Sequence, residues 1–367
     1  MNWFEVQNID KVDSPALVIY LDRVERNIDK AIAKAGGTDR FRPHVKTHKT
    51  AEVIDLHLKK GVDKFKCATI AEAEMCARQG AKSVVLAHQL TVGKYNRWIK
   101  LIQSFPNTQF ACVVDNLRTV KELTALSKDN KAVLEVFLDV NNGMNRSGIR
   151  LNNTALELCK YINQYDCLHF AGLHVYDGHI RQSNFAERQQ EGERDFESVT
   201  SFMEQLRANN IEVGEVIVGG SPSFPVHANR ENVTLSPGTY VFWDKGYGDT
   251  FQESDFEYAA LVITRVISVL DDNTICLDLG HKSIAAENPH PRVYFLNCKV
   301  EAFVIHSEEH LTVRTPNAKQ FKVGDVLYGI PHHICPTVNL NEELVIIENG
   351  IATSRWEVLA RKRKLTI

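Results

Sequence analysis

Between residue 41 and about residue 236, short apolar runs alternate with amphipathic stretches of helical period. Parallel strands joined by crossover helices require that alternation, so this part of the chain is restricted to α/β architectures. The predicted strands are Phe41 to His44, Lys64 to Ala68, Ser83 to Ala87, Gln109 to Val114, Val133 to Asp139, Leu168 to His174, Glu215 to Val218 and Val233 to Ser236. Eight is the number that closes a βα barrel, and a TIM-like (β/α)8 barrel is expected over residues 21–250. The helices between are suitably punctuated. Asn116 can cap LRTVKELTALS, and Gly80 follows EAEMCARQ.

After residue 250 the helical period disappears, and AALVITRVISVL, TICLDL, RVYFLNCKVEAFVI, HLTVRT, DVLYGI and ELVIIE read as strands of an antiparallel β domain. Pro15 to Tyr20 would be a ninth strand in an eight-strand barrel. It is therefore placed outside, with residues 1–20 joining 251–367.

A chain of 367 residues with 44% hydrophobic content can fill two cores. With 43 Lys plus Arg against 46 Asp plus Glu, the net charge of -3 offers no general attraction for nucleic acid or an anionic membrane, so a small-molecule substrate is expected. The N-terminus has no basic segment ahead of an apolar core, and no apolar run approaches bilayer length; the expected location is the cytoplasm. The eight cysteines are dispersed without a CxxC pair, which suits reduced thiols. Only Cys335 stands in a ligand-rich setting.

In a βα barrel the site lies at the carboxyl ends of the strands. Lys46 follows the first, in FRPHVKTHKT, among Arg42, His44, His48 and Lys49. Neighbouring positive charge disfavours the ammonium form and favours the nucleophilic amine that a carbonyl cofactor such as pyridoxal phosphate needs. Arg146 follows the fifth strand, His174 and Tyr176 end the sixth in GLHVYDGH, and Gly219, Gly220 and Ser221 follow the seventh. Each alone reads equally well as a turn or a satisfied polar residue; their convergence on one rim is harder to explain that way. The glycine pair can bring backbone N–H groups to an anion, with hydroxyls from Ser221 and Tyr240, although Tyr240 also suits a packed rim aromatic. In PHHICP, His333 and Cys335 stand two apart and would point the same way in an extended segment. That pair suits zinc with open coordination positions, the alternative being a proline-rich turn with a buried cysteine. His332 would face away.

These segments, with DSPALVIYLDRVERNI, VIVGGSPSF, LSPGTYVFWD, DLGHKS and PHHICPTVNL, resemble the D-threonine aldolase and D-serine dehydratase group of pyridoxal-phosphate enzymes, which share the alanine racemase (fold-type III) barrel. The resemblance implies that Lys46 carries the Schiff base, that Arg146 approaches the phenolic oxygen and that Gly219, Gly220 and Ser221 hold the phosphate. It places His174 near the ring face and Tyr176 near its edge. It also implies a divalent metal at His333 and Cys335, zinc with manganese as the alternative, bound to the β-hydroxyl of a D-3-hydroxy amino acid, and a homodimer. In an aldolase, His179 or metal-bound hydroxide would take the hydroxyl proton, giving glycine and an aldehyde. In a dehydratase, Lys46 would remove the α proton, with pyruvate and ammonia the products from D-serine. Cys335 favours the dehydratases; PTVNL and the compact length favour the aldolases, which is the leading expectation. A non-catalytic cofactor carrier and a racemase are the other readings.

Overall fold

The computed structural model describes residues 2–367. β1 (Ala16–Tyr20) leads into α1 (Leu21–Ala35), and α2 (Ala51–Lys59) precedes a run of alternating elements. Its strands are β2 (Lys64–Cys67), β3 (Ser83–Leu86), β4 (Gln109–Val114), β5 (Leu134–Val140), β6 (Leu168–Val175), β7 (Glu215–Val218) and β8 (Thr234–Leu235). Between them lie α3 (Ile70–Arg78), α4 (Val92–Ser104), α5 (Leu117–Asn130), α6 (Asn153–Ile162), α7 (Phe185–Ala208) and α8 (Phe224–Ala228). The seven strands pair in chain order, all parallel, in one curled sheet. Asn116 caps α5 as expected, its side chain accepting from Thr119 N–H.

The segment expected as the first barrel strand contributes bridges, not a regular strand. Phe41 bridges Leu235 and His44 bridges Lys66, both in parallel. The Arg42 amide donates to Leu235 O at 2.9 Å and the Lys66 amide donates to Pro43 O at 3.0 Å, so the segment links the two edges of the sheet. Pro43 has no N–H to continue the ladder, which limits the pairing.

Val85, Ala111, Val113, Phe137, Ala171 and Ile217 pack together as a buried cluster. On strands buried on both faces the valine, isoleucine and phenylalanine side chains among these stabilise by roughly 1.5–3 kcal/mol each. One backbone position is unforgiving. Gly172 has φ +142, follows a β-bulge opposite Val136 and Phe137, and would place a Cβ 1.8 Å from Glu215 O. Gly172→Ala is expected to cost about 3 kcal/mol or more, combining backbone strain with a clash against β7. Urea unfolding checks this; an unchanged midpoint would contradict it.

Two compact units result: Ala31–Lys46, Val53–Gly238 and Lys362–Ile367 form the barrel unit, while the described residues up to Lys30, Thr47–Glu52 and Thr239–Arg361 form the other. The second unit contains α9 (Lys245–Thr250), β9 (Ala260–Val269), β10 (Thr274–Leu277), β11 (Val293–Phe295), β12 (Ala302–His306), β13 (Leu311–Arg314), β14 (Val326–Pro331), α10 (Ile334–Leu340), β15 (Glu343–Glu348) and β16 (Ile351–Glu357). Its sheet runs β12-β13-β10-β9-β1-β15-β16, with β14 also on β9 and β11 on β14. All its pairs are antiparallel except β1 with β15. The N-terminal strand thus lies inside this sheet, between β9 and β15, where Val18, Tyr20, Leu261, Ile263, Val345 and Ile347 share a core.

RVYFLNCKVEAFVI, read as one run, splits into β11 and β12. β16 was not expected, because IATSRWE is largely exposed and carries little apolar signal. All eight cysteines are free. Among the described residues, no helix is long and apolar enough to cross a membrane.

Candidate active site

At the carboxyl end of β6, Tyr176 gathers positive charge. The Arg146 guanidinium carbon lies 4.6 Å from its ring centroid, Lys66 Nζ 5.8 Å and Lys46 Nζ 5.9 Å. None of these cations forms an ion pair or side-chain hydrogen bond among the described residues. Lys66 is 2% exposed; burial, then the charge of Lys46, pushes its pKa down to about 7 against the pull of Asp177 and Asp139. Three cations without an anionic partner suit an anionic ligand such as pyridoxal phosphate.

The basic cluster around Lys46 is therefore not the one expected. Arg42 is buried and turned to Glu215 (3.1 and 2.7 Å), Phe65 O and Ser83 Oγ. His48 bonds Thr50. Residues 45–48 form a turn, and the side chains that precede and follow it are carried to different surroundings, so sequence proximity did not translate into a cluster. Lys66, which sequence reasoning missed, takes their place beside Lys46. Its only signal was a lysine in the apolar strand KFKC.

His174 is 4% exposed, with Nδ1 2.7 Å from Asp139 Oδ1. Burial holds its pKa below the usual histidine value although Asp139 pulls it up, and buried Nε2 has no protein partner. Asp139 thus fixes the ring and leaves Nε2 for a ligand.

The glycine turn is built differently from the expected backbone cradle. The Gly219 amide donates to Val175 O at 2.9 Å and the Gly220 amide to Ser223 Oγ at 3.2 Å, so both donors are engaged. Gly219 is required by its φ of +73, and a Cβ on Gly220 would sit 3.0 Å from the Tyr176 ring. Ser221 follows the pair, and its hydroxyl accepts from the Gly238 amide at 3.2 Å.

Behind the turn, Asp177 is 1% exposed and lies 2.6 Å from both His227 Nε2 and Ser223 Oγ. Burial raises its pKa, but His227 and Ser223 prevail and hold it below the usual carboxylate value. A depressed carboxyl stabilises above its ordinary pKa of 3.8 and loses that contribution as pH falls through the folded value. Asp177→Ala is expected to cost about 3–5 kcal/mol near neutrality, with the difference from the parent shrinking in acid. Urea midpoints at pH 7 and pH 3 test this; a pH-independent difference would contradict it.

His179 stands in the next loop with Nε2 2.8 Å from Asp195 Oδ2 on α7, while its buried Nδ1 has no protein partner. Glu191 completes a trio of potential metal ligands whose atoms lie within 4.8 Å of one another. A Cβ on Gly143 would come 2.6 Å from His179 Nε2, which ties the loop carrying Arg146 to a glycine.

In the β-sheet unit, PHHICP is not extended. His333 is the N-cap of α10 and Cys335 lies in its first turn. Their side chains nevertheless interact: burial works against protonation of His333, but Cys335, Glu287 and Asp244 raise its pKa to about 9. Cys335 Sγ lies 3.3 Å from Thr47 Oγ1 and 3.7 Å from Thr239 Oγ1. Asp244 accepts from the Ile334 amide at 3.0 Å and the Tyr247 amide at 2.9 Å, tying the starts of α10 and α9 together. Imidazole, thiol and the Glu287 carboxylate on His333 Nδ1 are donors that zinc accepts. His332 packs against Gly246 and stacks on Tyr294, apart from that pair. Tyr240 is 1% exposed and its ring packs on Phe256.

The alanine racemase N-terminal domain model matches residues 19–245, and a putative serine dehydratase domain matches residues 259–347. The chain belongs to the alanine racemase N-terminal domain family. It is 28% identical to a D-threonine aldolase from Arthrobacter sp. over 96% of this chain and 93% of that protein. It is 26% identical to a 3-hydroxy-D-aspartate aldolase from Paracoccus denitrificans (strain Pd 1222), covering 96% and 92%. Among solved structures it resembles the D-threonine aldolase from Filomicrobium marinum at a TM-score of 0.87 and 25% identity, over 98% of both chains. Fold and family make this chain a pyridoxal-phosphate-dependent lyase.

Proposed function

We propose that this lyase cleaves D-3-hydroxy amino acids by a retro-aldol reaction of the D-threonine aldolase type, giving glycine and an aldehyde. The observation that carries the reading is the His333–Cys335 pair, a donor set without a role in chemistry confined to Cα. Bound pyridoxal phosphate supplies an electron sink for the charge left on Cα. Lys46 would hold the cofactor covalently, Arg146 and Tyr176 would flank it, His174 would present Nε2, and Ser221 would help meet its phosphate. His333 and Cys335 would hold a divalent ion, zinc with manganese as the alternative, that lends Lewis acidity to the β-hydroxyl. His179, held by Asp195 through Nε2, has the lone pair of Nδ1 to accept the hydroxyl proton as the Cα–Cβ bond breaks. Further parts of this reading are a homodimer, a free D-amino acid as substrate, a cytoplasmic setting, and neither nucleic acid nor membrane as partner.

A second reading, a D-3-hydroxy amino acid dehydratase, is favoured by Cys335 and by the serine dehydratase domain match. Here Lys46 would take the α proton and hydroxide would leave from Cβ. Incubation with D-threonine, D-serine and D-3-hydroxyaspartate separates the two, since glycine with an aldehyde marks the aldolase and a 2-oxo acid with ammonia the dehydratase. Conversion of none of them by cofactor- and metal-loaded protein would overturn both.

A further inference from the structure

The buried lysine on β2 has no part in the reaction as derived above. Its backbone is stitched to both sides of the segment that ends in Lys46: its amide donates to Pro43 O at 3.0 Å and its carbonyl accepts from the Val45 amide at 2.9 Å. The pairing brings the two amines to the same aromatic ring, 5.8 and 5.9 Å from the centroid of Tyr176, where Arg146 already sits at 4.6 Å.

The anionic groups acting on Lys66 are Asp139 and Asp177, and each is committed elsewhere, Asp139 to His174 and Asp177 to His227 and Ser223. Lys46 and Arg146 oppose its charge, and buried His174 adds no formal charge while neutral. A methylene chain ending in an amine is a poor core filler, because the charged form is desolvated and gains nothing unless an anion arrives. At 2% exposure that anion cannot come and go freely with solvent. This favours a resident group over a passing substrate.

We propose that Lys66 is a second cation for the bound cofactor, meeting with Arg146 an anionic oxygen of pyridoxal phosphate. The inference rests on the cofactor occupying the barrel site. The oxygen can belong to the phenolic group or to the phosphate, and the charge chemistry is the same for both. In the absence of an anion the pKa of Lys66 is pulled down to about 7 by burial and by Lys46. An arriving anion raises it, so at pH 8 binding takes a proton from solvent.

The test uses the full-length protein stripped of cofactor and reloaded. For the parent, binding heats of pyridoxal phosphate at pH 8, compared in buffers of different ionisation enthalpy, should report proton uptake that Lys66→Met lacks. Lys66→Met should bind the cofactor about 10- to 100-fold more weakly. The pH midpoint of the bound cofactor's visible absorption should rise, since a nearby positive charge is lost. Lys66→Arg, which keeps the charge, should restore affinity to within about threefold of the parent. Repeating the affinities with pyridoxal locates the contact: a loss seen with both ligands points to the phenolic oxygen, and a loss confined to the phosphorylated ligand points to the phosphate. Unchanged affinity and midpoint in Lys66→Met would overturn the proposal, as would Lys66→Arg binding as weakly as Lys66→Met. Failure of the parent to bind pyridoxal phosphate at all would sink the cofactor reading and this inference together.

Discussion

Lys46→Ala is expected to abolish covalent attachment of pyridoxal phosphate and to reduce turnover by about 10³-fold or more, since no other group can then form the bond to the cofactor's aldehyde in the required place. Borohydride reduction of the parent followed by peptide mapping should place the label on Lys46 alone. The control matters because a second amine lies at the same ring. Lys66 has a pKa near 7 and enough free amine to react, but it is fixed in a strand and 2% exposed, whereas Lys46 is partly exposed at the end of its segment. Label on Lys66, or full turnover in Lys46→Ala, would reverse the assignment. A valine at Gly220 would be a poor test of the phosphate turn, because its side chain would strike the Tyr176 ring before it met any anion.

Removal of divalent metal should reduce turnover by about 10²–10⁴-fold, the size expected when several kcal/mol of Lewis-acid stabilisation is lost. The far-ultraviolet dichroism and the covalent link at Lys46 should persist, because among the described residues the starts of α9 and α10 are held by Asp244 and not by the His333–Cys335 pair. Added zinc or manganese should restore activity to the parent, and His333→Ala should lose that rescue. Chelated protein that remains fully active with no metal by elemental analysis would remove the metal from the reaction.

Much of the architecture was legible because it is written in periodicity. Strands from Lys64 onward and the helices between them alternate in a way that local hydrogen bonding and two-faced burial impose on each segment separately. The first barrel segment was found in its place but not in its form, since Pro43 interrupts a ladder whose partners lie almost two hundred residues away at Leu235. β16 escaped for the opposite reason: its pairing with β15 stabilises residues whose own side chains are mostly in solvent.

Lys46, Arg146, His174, Tyr176 and the glycine turn could be named from sequence, since residues that follow barrel strands converge on one rim and residue type limits what each can do there. Partnership was beyond it. Only the tertiary structure turned Arg42 away to Glu215, tied His174 to Asp139 and His179 to Asp195, engaged the Gly219 and Gly220 amides, and set Lys66 beside Lys46. The sequence by itself determined the strand and helix order, the separation of an α/β from a β region, and the chemical types on the rim, because these follow from local period and side-chain identity. Which charges meet, and therefore which groups are left with an unmet demand for an anion or a proton, was decided by contacts between segments far apart in the chain, where burial and distance set the electrostatics.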